Sequence, residues 1–277
     1  MPIVYACIAP HGDELIPRIA GKNGRLAAES TRGMRRLASE MKDARPDTIV
    51  IATPHNLRLM KNIGVVIAEN SSGKVGSRGA EISLRARCDV KLAREVLTAS
   101  EKAGLPVVGA NYGTFSGELS NMAMDWGTLI PLWFFLKLNR LKSRIVIVTP
   151  SRDIPLEQNV RFGMTVGAVA EASEKRVAFV ASADQAHAHD AKSPYGFSPK
   201  ARVYDAAVMR SIERGRLSDI LKFDSEMVEK ARPDSLWQMA MLAGVLKVVR
   251  LEGALYSYQV PTYFGMLCAG YSRPPTS

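Results

Sequence analysis

Imidazole is the side chain that most often binds a transition metal or moves a proton near neutral pH. The 277-residue chain has only four histidines. His11 follows the apolar run Ile3-Val4-Tyr5-Ala6-Cys7-Ile8-Ala9 and a proline, and His55 follows Thr48-Ile49-Val50-Ile51-Ala52-Thr53 and a proline. His187 and His189 follow Val177-Ala178-Phe179-Val180-Ala181-Ser182. All four therefore stand just past runs that read as strands. In an open α/β fold, the crevice at the carboxyl ends of the strands is where ligands bind. If the strands before His11 and His55 are neighbours, their ends lie about 5 Å apart, and two ring nitrogens can reach one ion. Two histidines and one carboxylate leave coordination positions open, as in non-haem Fe(II) oxygen chemistry, and the same ligand types form hydrolytic zinc sites. A single such histidine reads as a loop or capping residue, whereas four at strand ends favour a shared site. In an extended His187-Ala188-His189 both rings share a face, and a turn there splits them. One is expected in the site and the other against the following loop.

The residues alone leave the carboxylate open. Asp13, Glu14, Asp125, Asp184, Asp190 and Asp234 all occupy plausible loop positions. Asp234 directly precedes an apolar helix, where an acidic residue reads first as an N-cap.

Elements that position these groups alternate along the chain. Apolar spacing predicts helices over about 27–44, 90–104, 130–138, 156–174, 201–215, 217–223, 225–231 and 235–248. Strands are expected at 3–9, 48–53, 64–69, 80–86, 107–108, 144–148, 177–182 and 254–260. Segment 16–23 reads as a loop, and Asn70-Ser71-Ser72-Gly73-Lys74 as a turn cluster. Gly73-Lys74 lacks the rest of a phosphate loop. The irregular 111–127 segment, too long for a plain connection, reads as functional, and 190–199, which carries Tyr195, as a rim or lid. The alternation predicts an α/β fold over residues 1–277: a single domain whose largely parallel or mixed central sheet is flanked by helices. The unit from the first strand through helix 27–44 to the second strand implies a parallel pair with a right-handed crossover.

Composition narrows the partners. The net charge is +10, with a pI of about 9.6, which suits an acidic partner or a solvated basic surface. The basic residues are dispersed, without stacking aromatics or a nucleic-acid motif, so nucleic acid is not expected. The longest apolar run, near Leu129–Leu136, is too short to span a bilayer, and no secretory signal is expected at the N-terminus. Cys7, Cys88 and Cys268 are far apart and odd in number, which fits a reducing cytoplasm rather than a disulfide framework or thiolate zinc site. An even-numbered homo-oligomer is the default expectation.

With these residues laid out, the chain resembles the class III extradiol ring-cleavage dioxygenases, the LigB-like family. The matching elements are Pro10-His11, Pro54-His55, Asp125-Trp126-Gly127 leading to Pro131-Leu132, Ser182-Ala183-Asp184-Gln185-Ala186-His187, and Asp234 before its apolar helix. The resemblance implies a non-haem Fe(2+) cofactor held by His11, His55 and Asp234, with His187 as the catalytic acid/base. It implies a small catecholic substrate and O2 as reactants, with room for a small accessory subunit. Asp13, Trp126, His189 and Tyr195 are the substrate-contact candidates. Two positions depart from the family pattern. Trp126 replaces the usual histidine of Asp-His-Gly, and Asp234 is one methylene shorter than the usual Glu, with Glu226 and Glu229 as nearby fallbacks. The alternatives are a metal-dependent hydrolase on the same ligands and a Memo-like binding or regulatory protein.

Overall fold

The computed structural model describes residues 3–77 and 79–274. In chain order the elements are β1 (Ile3–Ala9), a single turn α1 (Pro17–Ala20), α2 (Ala28–Ala44), β2 (Thr48–Ala52), β3 (Ile63–Val66), β4 (Asn70–Ser77) and β5 (Ala80–Arg87). Next come α3 (Val90–Lys102), β6 (Val107–Ala110), β7 (Asn121–Ala123), α4 (Trp126–Leu132), β8 (Arg144–Thr149), α5 (Leu156–Ala172) and β9 (Val177–Ser182). The last are α6 (Lys200–Glu213), α7 (Ser225–Ala231), α8 (Leu236–Val248), β10 (Glu252–Gln259) and β11 (Met266–Ser272).

Eight strands form one mixed sheet in the order β10-β11-β1-β9-β2-β8-β3-β6, and β5-β4-β7 form a second, smaller one. The four middle strands β1, β9, β2 and β8 are parallel, so their carboxyl ends open on one rim. These strands are apolar almost throughout because both faces are covered. Val50, Val146 and Phe179 point into one core with α3, α5, α6 and α8. Their neighbours Ile51, Ile147 and Val180 point into the other, with α2, α4 and β5. That is the two-residue period of a strand read against two layers.

The helix that follows Asp234 is held tightly. A Cβ on Gly163 of α5 would lie 1.9 Å from the Met241 carbonyl oxygen, and one on Gly244 of α8 would lie 2.0 Å from that of Val160. The two glycines let the helix backbones touch, which locks α8 against α5.

The structure revises several sequence expectations. The first two strands are parallel but not neighbours, because β9 lies between them. The expected turn cluster at 70–74 is the start of β4, which pairs with β5 and β7. Ser71 Oγ bonds the Met122 carbonyl, and Gly73 leaves room for Met124, so tertiary pairing overrides a turn-like composition. The C-terminal segment supplies β11, which inserts between β10 and β1. The loop expected at 16–23 contains α1. The helix expected from 130 begins at Trp126, because Asp125 caps it by accepting from the Thr128 N–H at 2.6 Å. No helix among the described residues is long and apolar enough to cross a membrane.

Candidate metal centre

The rim collects side chains from every middle strand. His11 follows β1, His55 follows β2, Ser182 ends β9 with Asp184 just beyond it, and Arg152 follows β8. Asp234 arrives from the other side, immediately before α8, and its N–H bonds the Asp184 carbonyl at 3.2 Å. With β9 between their strands, the backbones after His11 and His55 are two strand spacings apart, about 10 Å. The side chains close that gap, and the two Nε2 atoms are 3.2 Å apart.

Asp234 Oδ2 lies 2.7 Å from His55 Nε2 and 3.5 Å from His11 Nε2. One donor atom from each of the three residues lies within 4.8 Å of the others, a group that could hold a metal ion. The local reading of Asp234 as an N-cap is thereby corrected. Ser235 is the N-cap of α8 and makes no side-chain capping bond, while the Asp234 carboxylate turns to the imidazoles and to Arg152.

Hydrogen bonding fixes the proton on His11. Ser182 Oγ donates to the Gly127 carbonyl, so toward His11 Nδ1, 2.9 Å away, it accepts. Nδ1 therefore carries the proton in the neutral ring, and Nε2 offers its lone pair to the Asp234 side. Such an outer partner orients a metal-binding histidine. His11 is 1% exposed. Burial alone would lower its pKa, but the carboxylates of Asp184 and Asp234 raise it overall. Burial would raise the Asp234 carboxyl, yet His11 and His55 hold it well below the usual range. Burial pushes Asp184 upward against the opposing effects of His11 and His187. A negative carboxylate against two imidazoles thus favours a cation at their centre, and the donor set fits a divalent metal.

The three groups form the floor of a cavity of about 910 Å³, which is also lined by Asp13, Trp126, His187 and Tyr195. The His187 ring stacks on Phe264 at 5.2 Å between centroids and meets the Tyr195 edge at 5.3 Å. Its Nδ1–H donates to the Gln185 carbonyl at 2.9 Å, so Nε2 is the basic nitrogen. Burial lowers the His187 pKa, which keeps the ring neutral. Trp126, 48% exposed, lies against His55 with ring centroids 4.3 Å apart. Asp13 is exposed at the mouth.

His189 departs from the expected substrate contact. It does not line this cavity, and its Nε2 pairs with Asp205 Oδ2 at 2.8 Å in a closed pocket. The backbone between the two histidines turns, so they do not share a face. Neither fallback carboxylate joins the cluster. Glu226 is exposed and pairs with Lys230, and Glu229 lies on the cavity wall. Asp125 is a helix cap, and exposed Asp190 takes the Lys192 N–H in a turn. Glu14 is buried, and burial raises its carboxyl to about 7, with Asp13 and Asp184 adding to the shift. Sequence reasoning missed Arg152, Trp237 and Phe264, although Thr149-Pro150-Ser151-Arg152 echoes the Thr53-Pro54-His55 pattern.

This architecture belongs to a defined class. Residues 5–266 match the family described as the catalytic LigB subunit of aromatic ring-opening dioxygenase. The chain belongs to that family. It is similar to the protein CA_C1420 of Clostridium acetobutylicum, with 23% identity over 253 residues, covering 91% of this chain and 54% of that protein. The chain thus spans about half the length of that relative. It shares its fold with the crystal structure of uncharacterized protein JW3007 from Escherichia coli K12. There the TM-score is 0.58 at 16% identity, covering 96% of this chain and 99% of that one.

Proposed function

We propose that the chain is a non-haem Fe(II)-dependent extradiol dioxygenase that opens the ring of a catechol-type substrate with O2. His11, His55 and Asp234 are the ligands and His187 is the acid/base. The single observation that carries this reading is the convergence of two imidazole nitrogens and one carboxylate oxygen beneath an aromatic-walled cavity. When bound, Fe(II) would supply the redox and Lewis-acid chemistry that makes a catechol and O2 reactive toward each other.

The chain's own residues provide the remainder. Trp126, Tyr195, Tyr263 and Phe264 line the cavity with aromatic faces that suit a planar ring and exclude water from it. His187 Nε2, basic and neutral, takes the proton of a substrate hydroxyl and later returns one to the opening ring. The Nδ1–H bond to Gln185 keeps that nitrogen in its role. Ser182 holds His11 in the tautomer that binds metal. Arg58 and Arg232, which make no ion pair among the described residues, line the same cavity together with Asp13 and Glu229, and the net charge of +10 favours an anionic aromatic.

Oxygen uptake by protein loaded anaerobically with Fe(II), against a panel of catechols, tests the proposal. The expected result is uptake matched by a yellow ring-opened product. Iron-loaded protein that consumes no oxygen with any catechol would instead favour a hydrolase on the same ligands or a Memo-like binding role.

A further inference from the structure

The two oxygens of Asp234 are treated differently. Oδ2 faces the two imidazoles, while Oδ1 is taken by Arg152 Nη2. Arg152 comes from the loop beyond β8, and its guanidinium lies over the Trp237 ring, 4.4 Å from the centroid. Trp237 sits in the first turn of α8, three residues after Asp234. Carboxylate and aromatic platform are thus carried by the same helix start. A guanidinium is a planar fork with fixed donor directions, unlike an ammonium, so stacking on Trp237 sets its direction as well as its place. The other charged or titratable groups around Asp234 are His11, His55 and His187, with Asp184, whose Oδ2 lies 3.3 Å from the same His11 Nε2.

Resting on the metal reading of His11, His55 and Asp234, we infer that Arg152 is a positioning residue that restricts Asp234 to one ligating oxygen. By holding Oδ1 it leaves Oδ2 as the carboxylate donor and keeps a coordination position free for exogenous ligands. Its positive charge also opposes that of the ion, so metal affinity is held below what the three ligands alone would give. An arginine that merely braced the loop would act in the opposite sense, and its loss would loosen Asp234 and weaken metal binding.

The test uses Co(II) as a spectroscopic probe, with affinity from chelator competition and coordination number from visible absorption. Arg152→Met is expected to bind Co(II) more tightly, by about threefold or more for one cation removed beside the ligand. Its absorption should also be weaker, as when a second carboxylate oxygen joins the ion. Arg152→Lys, which restores the charge, should return the affinity toward wild type. Weaker binding by Arg152→Met, or unchanged affinity and spectrum, overturns the inference. If Arg152→Met does not fold, Trp237→Leu removes the platform and keeps the charge. The same spectral change in that variant supports the inference, and an unchanged spectrum overturns it. Co(II) binding that survives in the double variant His11→Ala, His55→Ala overturns the metal reading and the role of Arg152 with it. Wild-type binding that depends on those histidines but is indifferent to residue 152 overturns only the latter.

Discussion

Proton placement decides what each histidine can do, and in two of the four it is fixed by a neighbour that itself has no choice. Ser182 is committed to the Gly127 carbonyl, so His11 must donate from Nδ1 and present Nε2. Gln185 offers only a carbonyl, so His187 must do the same. His11→Ala and His55→Ala are each expected to lose metal retention, measured as ions per chain after desalting. Ser182→Ala should keep the ligands but weaken affinity by about 10–100-fold, the usual cost of losing an outer partner, as read by chelator competition. His187→Gln should retain the metal while kcat falls about 10²–10⁴-fold. The working form of His187 is the neutral base, and burial sets its pKa below the ordinary 6.5. Activity should therefore fall as pH drops through a value below 6.5, and that acid limb should vanish from the residual activity of His187→Gln. At this scale the sequence was informative where residue type was scarce. Four histidines could be sorted by position, whereas six candidate carboxylates could not, because Asp serves equally as cap, turn former or ligand. Only the fold brings Asp234 beside His55.

Elements with strong apolar runs were legible, and those made by long-range pairing were not. β1, β2, β8 and β9 carry their own signal because both faces are buried. β4, rich in Ser and Gly, owes its strand form to β5 and β7, and β11 to its place between the adjacent β10 and the distant β1. The insertion of β9 between β1 and β2 was likewise invisible, because parallel strands joined by helices give no local cue to their order. One residue stitches several of these elements together at the opposite end of the strands. Asp89, 2% exposed, caps α3 through the Leu92 N–H at 3.2 Å. It also accepts from Thr48 Oγ1 of β2 and from Lys175 Nζ, each at 2.6 Å. Burial would raise its carboxyl, but Lys175, Thr48 and Leu92 together hold it below the ordinary 3.8. Asp89→Asn should cost about 1–3 kcal/mol at neutral pH, the range for leaving buried partners unsatisfied, as measured by urea unfolding. A depressed carboxyl contributes stability that is fully present above 3.8 and is lost as pH falls through the lower folded value. The gap between wild type and Asp89→Asn should therefore narrow in that acid window, and a gap that persisted there would place the cost in packing rather than charge.

Over the whole molecule the net charge is +10, while the cavity carries charges of both signs. Its floor is acidic, with Asp184 and Asp234, while the walls are mixed, with Arg58, Lys74, Arg152 and Arg232 alongside Asp13, Asp125 and Glu229. Lys74 pairs with Glu81 and Arg152 with Asp234, which leaves Arg58 and Arg232 beside Asp13 and Glu229, all four without an ion pair among the described residues. The family match accounts for the fold and the kind of cavity, but the match covers only 54% of the clostridial relative, and its name assigns no substrate. Charge is therefore the most direct guide to which aromatic compound the chain takes. A strongly positive net charge raises the encounter rate of anions, an effect that salt screens over a Debye length of about 10 Å at 0.1 M. A catechol bearing a carboxylate should show a higher kcat/KM than its neutral counterpart, and only the anionic substrate should lose rate as salt rises from about 10 to 300 mM. In the double variant Arg58→Ala, Arg232→Ala the anionic advantage should shrink by about tenfold, the effect of roughly 1.4 kcal/mol, while the neutral substrate is unaffected. Equal salt dependence for both substrates would assign the positive charge to solvated surface instead. The discrimination would then have to come from the shape of the aromatic walls, with Trp126 against His55 as the first position to vary.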